Sequence, residues 1–439
     1  MSTLPPIRIG LLGLGTVGGG TLTVLRRNAA LIAARAGRRI EVVCASARDL
    51  AKTRKFDTAG IDLYADPMQV VDDPRIDVLV ELIGGIEPAR TLVLKALANG
   101  KHVVTANKAL IALHGNEIFE AARSRGLMVA FEAAVAGGIP VIKVMREALA
   151  GNDIQWLAGI INGTCNFILS AMCDAGRDFL EVLHEAQRLG YAEADPSFDI
   201  DGIDAAHKLT ILASLAFGIP LQFDRVYVEG IRNISADDVT YAERLGYRIK
   251  HLGIARQQAG GIELRVHPTM VPARAPLANV NGVMNAVMVN ADAAGPVVLS
   301  GAGAGALPTA SSVVADLVDV VRALTTDSEN RVPHLAFQPD TMENLTTLDI
   351  GEVETAYYLR LLAADEPGVL ADVTRILADG HISIEAIMQL EKDACTTNVP
   401  VVILTHRVQE KAMNAAIARI QALSSIRAPL NRIRVETLA

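Results

Sequence analysis

The 439-residue chain is poor in cysteine and aromatic residues, and it has no long uninterrupted apolar run. Its four cysteines lack Cys-x-x-Cys spacing, which argues against a disulfide framework and against a zinc site. No apolar stretch reaches the roughly 18–20 residues of a membrane-spanning helix, and glycine interrupts the apolar N-terminal run. We therefore predict a cytoplasmic protein without a membrane partner.

Basic residues are outnumbered as well. The chain has 41 Lys and Arg against 49 Asp and Glu, which gives a formal net charge of −8. No run of Lys or Arg overrides this balance, so we expect no nucleic-acid partner. The length exceeds what one core supports, and it predicts two or three domains.

Strands alternate with helices in the first part of the chain, which predicts an α/β fold with a Rossmann-type, doubly wound parallel sheet. We place this domain at residues 1–138 and expect a helix over 306–325 to return to it. Residues 139–305 predict an α+β catalytic and dimerisation domain, and residues 326–352 a linker. Residues 353–439 show the order βαββαβ, which is typical of ferredoxin-like domains.

The segment GLGTVG lies between an apolar strand and a helix, the context in which G-x-G-x-x-G binds a dinucleotide. The first glycine allows a tight turn, the second lets backbone approach a pyrophosphate, and the third permits close helix–strand packing. A purely structural glycine turn is the alternative. The predicted cofactor contacts are Gly13, Gly15, Thr16, Val17 and Gly18.

Arg48 follows the second strand, and residues 45–48 include no acid that could hold a ribose 2′-hydroxyl. Together with Lys52 and Lys55 it suits a 2′-phosphate, so NADP is favoured over NAD. The alternative is that these basic side chains are only solvated.

The segment TANK ends in Lys108 and follows a strand at the carboxyl edge of the predicted sheet. Open α/β sheets bind their ligands at this edge. Lys108 is therefore a candidate contact for cofactor or substrate, with an ordinary loop lysine as the alternative.

The segment YAEADPSFDIDGIDAAHK, residues 191–208, holds five carboxylates before an apolar helix. Carboxylates crowded against apolar surface need a cationic partner. Lys208 falls where an EF-hand requires a bidentate acid, which excludes that calcium loop. Asp204 and Lys208 lie at i and i+4 on one helix face, where they can bind a zwitterion and transfer a proton. A local ion pair is the alternative.

Six segments resemble motifs of the homoserine dehydrogenase family and occur in the family's order: GLGTVG, TANK, EAAVAGGIP, INGTCNFIL, GYAEADPSFDIDGIDAAHKL and GAGAGALPTAS. The C-terminal part with DEPGVL resembles an ACT domain, a module that binds amino-acid effectors. The resemblance implies reversible reduction of L-aspartate 4-semialdehyde to L-homoserine with NADPH or NADH, in the biosynthesis of threonine, methionine and isoleucine.

The resemblance also implies roles for single residues. Lys208 would protonate the developing alkoxide, and Asp204 and Glu193 would bind substrate and orient Lys208. Lys108 would lie between nicotinamide and substrate as a third catalytic residue. The further implied substrate contacts are Asp199 and Thr164, and the further implied cofactor contacts are Thr105, Gly190, Gly303 and Gly305.

Two bound species besides substrate and cofactor are implied by the family. A monovalent cation such as sodium would be held by the backbone carbonyls of Glu132, Val135, Gly137 and Ile139. Threonine would be the effector of the ACT-like part, with contacts at Asp365, Pro367, Gly368 and Val369.

The residues of the ACT-like loop also favour amino-acid binding on physical grounds. Pro367 fits the first turn of a helix, and Gly368 lets an amino acid approach the helix N-terminus. The alternative is a tail used only for oligomerisation, since exposed strand edges favour pairing between chains. We expect a homodimer or homotetramer.

Two other functions remain open at this point. One is a non-catalytic dinucleotide and amino-acid sensor, in which Lys208 would be dispensable. The other is a different NAD(P)-dependent dehydrogenase, which acts on an amino acid or on a semialdehyde. A semialdehyde dehydrogenase would oxidise its substrate through a thioester. That chemistry needs an activated cysteine, and Cys165 has no adjacent base in the sequence.

Overall fold

The structure is a computed structural model that describes residues 4–389 and 398–438, so Cys395 lies outside the described residues. Its strands are β1 Ile7–Leu12, β2 Ile40–Ser46, β3 Asp62–Tyr64, β4 Val78–Glu81, β5 His102–Thr105, β6 Val129–Ala130, β7 Ile154–Ile160, β8 Tyr227–Val228, β9 Tyr247–Gln258, β10 Gly261–Pro272, β11 Met284–Ala291, β12 Gly295–Ala302, β13 Glu354–Ala364, β14 Ile384–Gln389, β15 Asn398–Thr405, β16 Val408–Gln409 and β17 Asn431–Val435.

The α-helices connect these strands, and short 3₁₀ turns occur between them. They are α1 Thr16–Arg27, α2 Ala29–Ala36, α3 Pro67–Asp72, α4 Ala89–Ala98, α5 Lys108–Arg123, α6 Val141–Lys143 (continued by a π-helical turn, Val144–Ala148), α7 Gly163–Ala175, α8 Phe179–Leu189, α9 Ser197–Ile200, α10 Ile203–Phe217, α11 Ala236–Arg244, α12 Ala306–Ala323, α13 Val369–Asp379 and α14 Glu410–Gln421.

The chain forms two compact units, and each is built from three separate segments. The first unit is Met1–Leu157, Asp204–Val226 and Met284–Leu345, and the second is Ala158–Ile203, Tyr227–Val283 and Thr346–Ala439. The sequence predicted consecutive domains, whereas these units interleave along the chain. The predicted domain boundaries therefore stay a prediction.

The first unit contains the Rossmann-type sheet that the sequence predicted. Its strand order is β3-β2-β1-β4-β5-β6, and all neighbours are parallel. Ile9, Leu11, Val78 and Val80 are fully buried in it, because helices cover both faces of a parallel sheet. Parallel strands end at the same edge, so the loops after β1, β4 and β5 lie together and position the site.

Helix α12, which lies where a returning helix was predicted over 306–325, packs against α1 in the first unit. Gly20 makes this contact possible, since a Cβ there would lie 2.3 Å from the carbonyl oxygen of Ala306. The helix predicted after the glycine loop is in fact two, because α1 ends at Arg27 and α2 begins at Ala29.

The C-terminal part of the second unit has the predicted ferredoxin-like order. Strands β17, β13, β15 and β14 are neighbours in that order and antiparallel, with α13 and α14 as the helices. Strand β17 also pairs in parallel with β10, so the last strand lies inside a sheet rather than at its edge.

Crossing a membrane requires a helix of sufficient length and apolar character, and none of the helices in the described ranges meets both requirements.

Candidate active site

The glycine loop between β1 and α1 has the geometry that each glycine was predicted to allow. Gly13 has φ +97°, in the left-handed region that favours glycine. A Cβ on Gly18 would lie 2.1 Å from the carbonyl oxygen of Gly13, so only glycine fits this helix–loop contact. A Cβ on Gly15 would meet nothing within 4 Å, which leaves open space beside the helix N-terminus. This space fits a dinucleotide phosphate.

The first turn of α1 carries the remaining residues predicted in this loop. Thr16 is exposed and Val17 half-buried. Gly15 is the N-cap and supplies no side-chain hydrogen bond, so the N–H groups of the first turn are available to an anion. Arg48 is exposed just after β2, the strand that neighbours β1 in the sheet. The first unit thus brings Arg48 to the same sheet edge as the glycine loop.

Thr105 ends β5, and its side chain makes hydrogen bonds within the protein. It is fully buried, and its hydroxyl donates to Glu81 Oε2 at 2.6 Å. The same hydroxyl oxygen accepts from the backbone N–H of Asn107 at 3.0 Å. A cofactor contact at Thr105, as the family resemblance implies, would therefore come from its backbone.

Lys108, Asp204 and Lys208 form a cluster in the first unit. Lys108 is the first residue of α5, and Asp204 and Lys208 lie one turn apart on α10. The Nζ of Lys108 is 2.8 Å from Asp204 Oδ1, and the Nζ of Lys208 is 2.7 Å from Asp204 Oδ2. Each carboxylate oxygen thus faces one ammonium group. The predicted i,i+4 pair is present, and a third charge from a distant helix joins it.

The electrostatics of this cluster follow from its burial. The side chains of Asp204 and Lys208 are 3% and 10% exposed, and that of Lys108 is 36% exposed. Burial alone raises the pKa of Asp204, but the two ammonium groups outweigh burial and hold the pKa below its ordinary value. Asp204 is therefore charged at neutral pH, and the cluster carries one net positive charge.

His207 is not a second candidate acid in this cluster. Its ring packs against Phe223 with centroids 4.5 Å apart, and the residue is buried. The pKa of His207 is lowered to about 4, mainly by burial; Asp204 opposes this shift, whereas Lys108 and Lys208 contribute to it. The imidazole is therefore neutral at neutral pH.

The other carboxylates of the acidic segment belong to the second unit, and two of them have local protein partners. Asp199 accepts from Asn162 Nδ2 at 2.7 Å, and its other carboxylate oxygen lies 3.3 Å from Thr164 Oγ1. Asp201 pairs with Arg232 at 2.5 Å. Asp199 and Asp201 therefore each have a local protein partner, which the crowding of acids in the sequence did not indicate.

Of the remaining residues predicted in and beside this segment, Glu193 and Gly190 are exposed and Thr164 is buried. Asp195 accepts from the backbone N–H of Ser197 at 3.1 Å. Gly190 ends α8 with φ +76°. Thr164 Oγ1 donates to the carbonyl of Tyr191 at 2.6 Å, which ties this segment to α7.

The loop predicted to bind a cation lies in the first unit, where β6 ends at Ala130 and Glu132 begins a 3₁₀ turn. The Glu132 carboxylate accepts from the backbone N–H groups of Ile142 and Lys143 at 2.9 and 2.8 Å and so caps α6. Burial raises the pKa of Glu132 to about 7, against the lowering effect of these two N–H groups.

Backbone carbonyls of this loop already accept hydrogen bonds. The carbonyl of Gly137 accepts from Ser312 Oγ at 2.7 Å, and that of Ile139 from the N–H of Val141 at 2.8 Å. The carbonyl of Glu132 accepts from the N–H of Val135 at 3.4 Å. A carbonyl oxygen has two lone pairs, so these oxygens can also coordinate a monovalent cation.

The glycine-rich turn before α12 is brought against this loop. A Cβ on Gly137 would lie 2.3 Å from the carbonyl oxygen of Gly303, and a Cβ on Gly303 would overlap the side chain of Asn285. Gly305 is the N-cap of α12 with φ +124°. The backbone contact therefore requires glycine at position 137, and the Asn285 side chain leaves no room for a Cβ at position 303.

The predicted effector loop lies in the second unit. Gly368 is the N-cap of α13 with φ +98°, and α13 begins at Val369. Pro367 precedes the N-cap, so the prediction that it occupies the first helical turn is wrong. A cavity of about 200 Å³ lies at this loop, and its lining includes Ala364, Asp365, Gly368, Leu370, Val399 and Val401.

Sequence reasoning missed the residues that hold the site in place. Glu81 joins the ends of β4 and β5, and Asn107 and Asn162 cap α5 and α7. A signal for Glu81 was present, because it is the one charged residue in the apolar run VLVELI. An Asn directly before a helix is likewise an ordinary N-cap signal.

Comparison with known proteins gives this geometry a family. Residues 140–318 match the family model described as "Homoserine dehydrogenase", residues 13–132 match "Homoserine dehydrogenase, NAD binding domain", and residues 357–424 match "ACT domain". The homoserine dehydrogenase of Pseudomonas aeruginosa is 62% identical over 435 residues, which cover 99% of this chain and 100% of that protein.

Solved structures agree with the sequence relatives. A homoserine dehydrogenase from Thiobacillus denitrificans is 62% identical, with a TM-score of 0.95 over 100% of both chains. A hyperthermophilic archaeal homoserine dehydrogenase in complex with NADPH is 26% identical, with a TM-score of 0.61 over 72% of this chain and 98% of that chain. The chain therefore belongs to the homoserine dehydrogenase family, with the NAD-binding, catalytic and ACT domains of that family.

Proposed function

We propose that this chain catalyses the reversible reduction of L-aspartate 4-semialdehyde to L-homoserine, in the biosynthesis of threonine, methionine and isoleucine. The observation that carries the proposal is the cluster of Lys108, Asp204 and Lys208 in a chain of this family. The bound nicotinamide would supply or accept the hydride.

Lys208 is the proposed proton donor. In the direction of aldehyde reduction, its ammonium group would give a proton to the substrate oxygen as negative charge develops there. Asp204 holds the Lys208 side chain in one orientation, because one carboxylate oxygen is 2.7 Å from its Nζ. Lys108 takes the other oxygen, so the cluster keeps a net positive charge that stabilises a developing alkoxide.

The roles of the remaining predicted residues are proposals of the same kind. The glycine loop, Thr16, Val17, Gly303 and Gly305 fit cofactor contacts, since backbone is accessible or glycine is required there. Gly190, Glu193, Asp199 and Thr164 stay predicted contacts. The cation site at Glu132, Val135, Gly137 and Ile139 is supported by oxygens that retain a lone pair.

We propose NADP as the preferred cofactor, with NAD as the alternative. Replacing Arg48 with alanine should lower kcat/KM for NADP⁺ about tenfold and leave kcat/KM for NAD⁺ within about twofold, because a charge-assisted hydrogen bond contributes about 1.5–3 kcal/mol. The test is an absorbance assay with both nicotinamides. Arg27→Ala, at the far end of α1, is the control and should change neither value. An equal loss with both cofactors would contradict the assignment.

We also propose that threonine inhibits the enzyme through the ACT domain. The support is the cavity at the Asp365–Leu370 loop together with the match to the ACT model. Deletion of residues 350–439 is a poor test, because it would also remove β17 from between β10 and β13. Point changes at the two ends of α13 leave β17 in place, so they test threonine binding without removing a strand from the sheet.

The change Gly368→Ala should raise the threonine concentration for half-inhibition about tenfold, since a left-handed conformation costs an L-residue about 1–2 kcal/mol. Gly380→Ala, at the other end of α13, is the matched control, because Gly380 has φ −82°. Threonine titrations of homoserine oxidation would measure both variants. A wild-type enzyme that does not respond to threonine would remove the effector proposal.

A thioester mechanism finds no support. Cys165 is fully buried, and its Sγ donates to the carbonyl of Asp199 at 3.2 Å, which is unsuited to a nucleophile.

The homodimer or homotetramer stays a prediction. It is supported by β12, which is a terminal strand of its sheet and on which Val298 is 40% exposed. The cytoplasmic location also stays a prediction, and the free thiols of Cys44 and Cys173 fit a reducing compartment.

A further inference from the structure

Glu81 is a buried carboxylate at the end of β4, and both of its oxygens are used. The residue is 0% exposed at the end of an otherwise apolar strand. Its Oε1 accepts from the backbone N–H groups of Ile83 and Gly84 at 2.8 and 3.1 Å, and its Oε2 accepts from Thr105 at 2.6 Å. A buried carboxylate is retained only where such partners offset its desolvation. Glu81 therefore joins the loop after β4 to the end of β5.

Asn107 extends this network to the start of α5. Its backbone N–H donates to the Thr105 hydroxyl, and its Nδ2 donates to the carbonyl of Gly85 at 2.6 Å. Its Oδ1 accepts from the N–H of Leu110 at 3.1 Å and so caps the helix. Glu81 and Asn107 thus bind the same short loop, residues 83–85. Together they determine where α5 begins.

Lys108 is the residue that this network places. It follows Asn107 directly and is 2.8 Å from Asp204, which in turn contacts Lys208. A lysine has a flexible four-carbon stem, so the reach of its Nζ depends on where its Cα is held. A misplacement of about 1 Å in a catalytic group can cost up to about 10²-fold in rate.

We propose that Glu81, through Thr105 and Asn107, is a positioning residue that places Lys108 against Asp204 and so keeps Lys208 oriented for proton transfer. This inference rests on the proposed function, because it takes the two lysines and Asp204 as the reacting site. Glu81 does not touch the substrate in this proposal; it affects turnover because it helps to fix the start of α5, where Lys108 lies.

The test is a double-mutant cycle of Glu81→Gln and Lys108→Met, measured as kcat for homoserine oxidation. Glu81→Gln should lower kcat about tenfold in the wild-type background. In the Lys108→Met background it should lower kcat no more than about twofold, because the group to be positioned is gone. A merely structural role would give the same loss in both backgrounds, and that result would overturn the proposal. A kcat within about twofold of wild type for Glu81→Gln alone would also overturn it.

Asp73→Asn is the matched control for removing a buried carboxylate from the same unit. Asp73 is 8% exposed and precedes the amino end of β4, the end away from the site. This variant should lower the melting temperature and leave kcat within about twofold. If Glu81→Gln does not fold, Glu81→Asp replaces it in the same cycle, since it keeps the charge and shortens the reach. A failure of the proposed function would be visible separately, as turnover retained in Lys208→Met.

Discussion

Replacing Lys208 with methionine should lower kcat for homoserine oxidation by at least about 10²-fold, the usual contribution of a positioned acid or base. Methionine keeps most of the apolar stem, so α10 stays packed while the ammonium group is lost. Asp204 would keep one cationic partner, Lys108, at 2.8 Å. The measurement is the increase in nicotinamide absorbance at saturating homoserine and NADP⁺.

A second buried lysine provides the control for this experiment. Lys101 is 4% exposed, and its Nζ donates to the carbonyl of Val71 at 2.6 Å. It precedes β5 and thus lies at the sheet edge opposite Lys108. Lys101→Met should reduce stability and leave kcat within about twofold. Near-normal turnover in Lys208→Met would remove Lys208 from the proton-transfer role and would favour the non-catalytic sensor.

Replacing Glu436 with glutamine should lower the free energy of unfolding of the second unit by about 3 kcal/mol, because it leaves buried guanidinium groups short of a counter-charge. Glu436 is 4% exposed, and its carboxylate is 2.6 Å from Arg265 and 3.3 Å from Arg256. Glu436 follows β17, and its backbone N–H donates to Met270 of β10. Urea unfolding followed by circular dichroism at neutral pH would measure the change.

The difference in the free energy of unfolding between wild type and Glu436→Gln should depend on pH in a definite direction. Burial alone raises the pKa of Glu436, but Arg265 and Arg256 outweigh burial and hold it below its ordinary value of about 4.5. Because the pKa of Glu436 is lower in the folded state, its carboxylate stabilises the fold at pH values above the ordinary pKa. This stabilisation is lost as the pH falls through the folded-state pKa. The difference between wild type and Glu436→Gln should therefore shrink below about pH 4.5.

An exposed glutamate of the same sheet is the control. Glu354, at the start of β13, is exposed, so Glu354→Gln should change the free energy of unfolding by less than about 0.5 kcal/mol. If Glu436→Gln were equally mild, the buried network would not stabilise the junction between β10 and β17.

Much of the structure of the first unit could be predicted from the sequence, because it depends on patterns among residues that are close together in the chain. The glycine loop depends on residues that are neighbours in the chain, and the pair of Asp204 and Lys208 depends only on the helical repeat. The alternation of strands and helices was enough to predict the parallel sheet. The family resemblance rested on the same short segments, and the comparisons confirmed it.

The tertiary structure decided which distant residues meet. Lys108 reaches Asp204, Glu81 reaches Thr105, and Glu436 reaches Arg265, each across many intervening residues. Spacing in the chain carries no information on such pairs, because they depend on how separate segments pack.

By itself, then, the sequence determined the nucleotide loop, the helical ion pair and the family. Only packing decided that Asp204 has two lysine partners, that Asp199 is held by Asn162, and that β17 lies within a sheet. The physical reason is that hydrogen bonds and ion pairs between distant segments are set by three-dimensional proximity. Helical periodicity and glycine turns are set by the local chain.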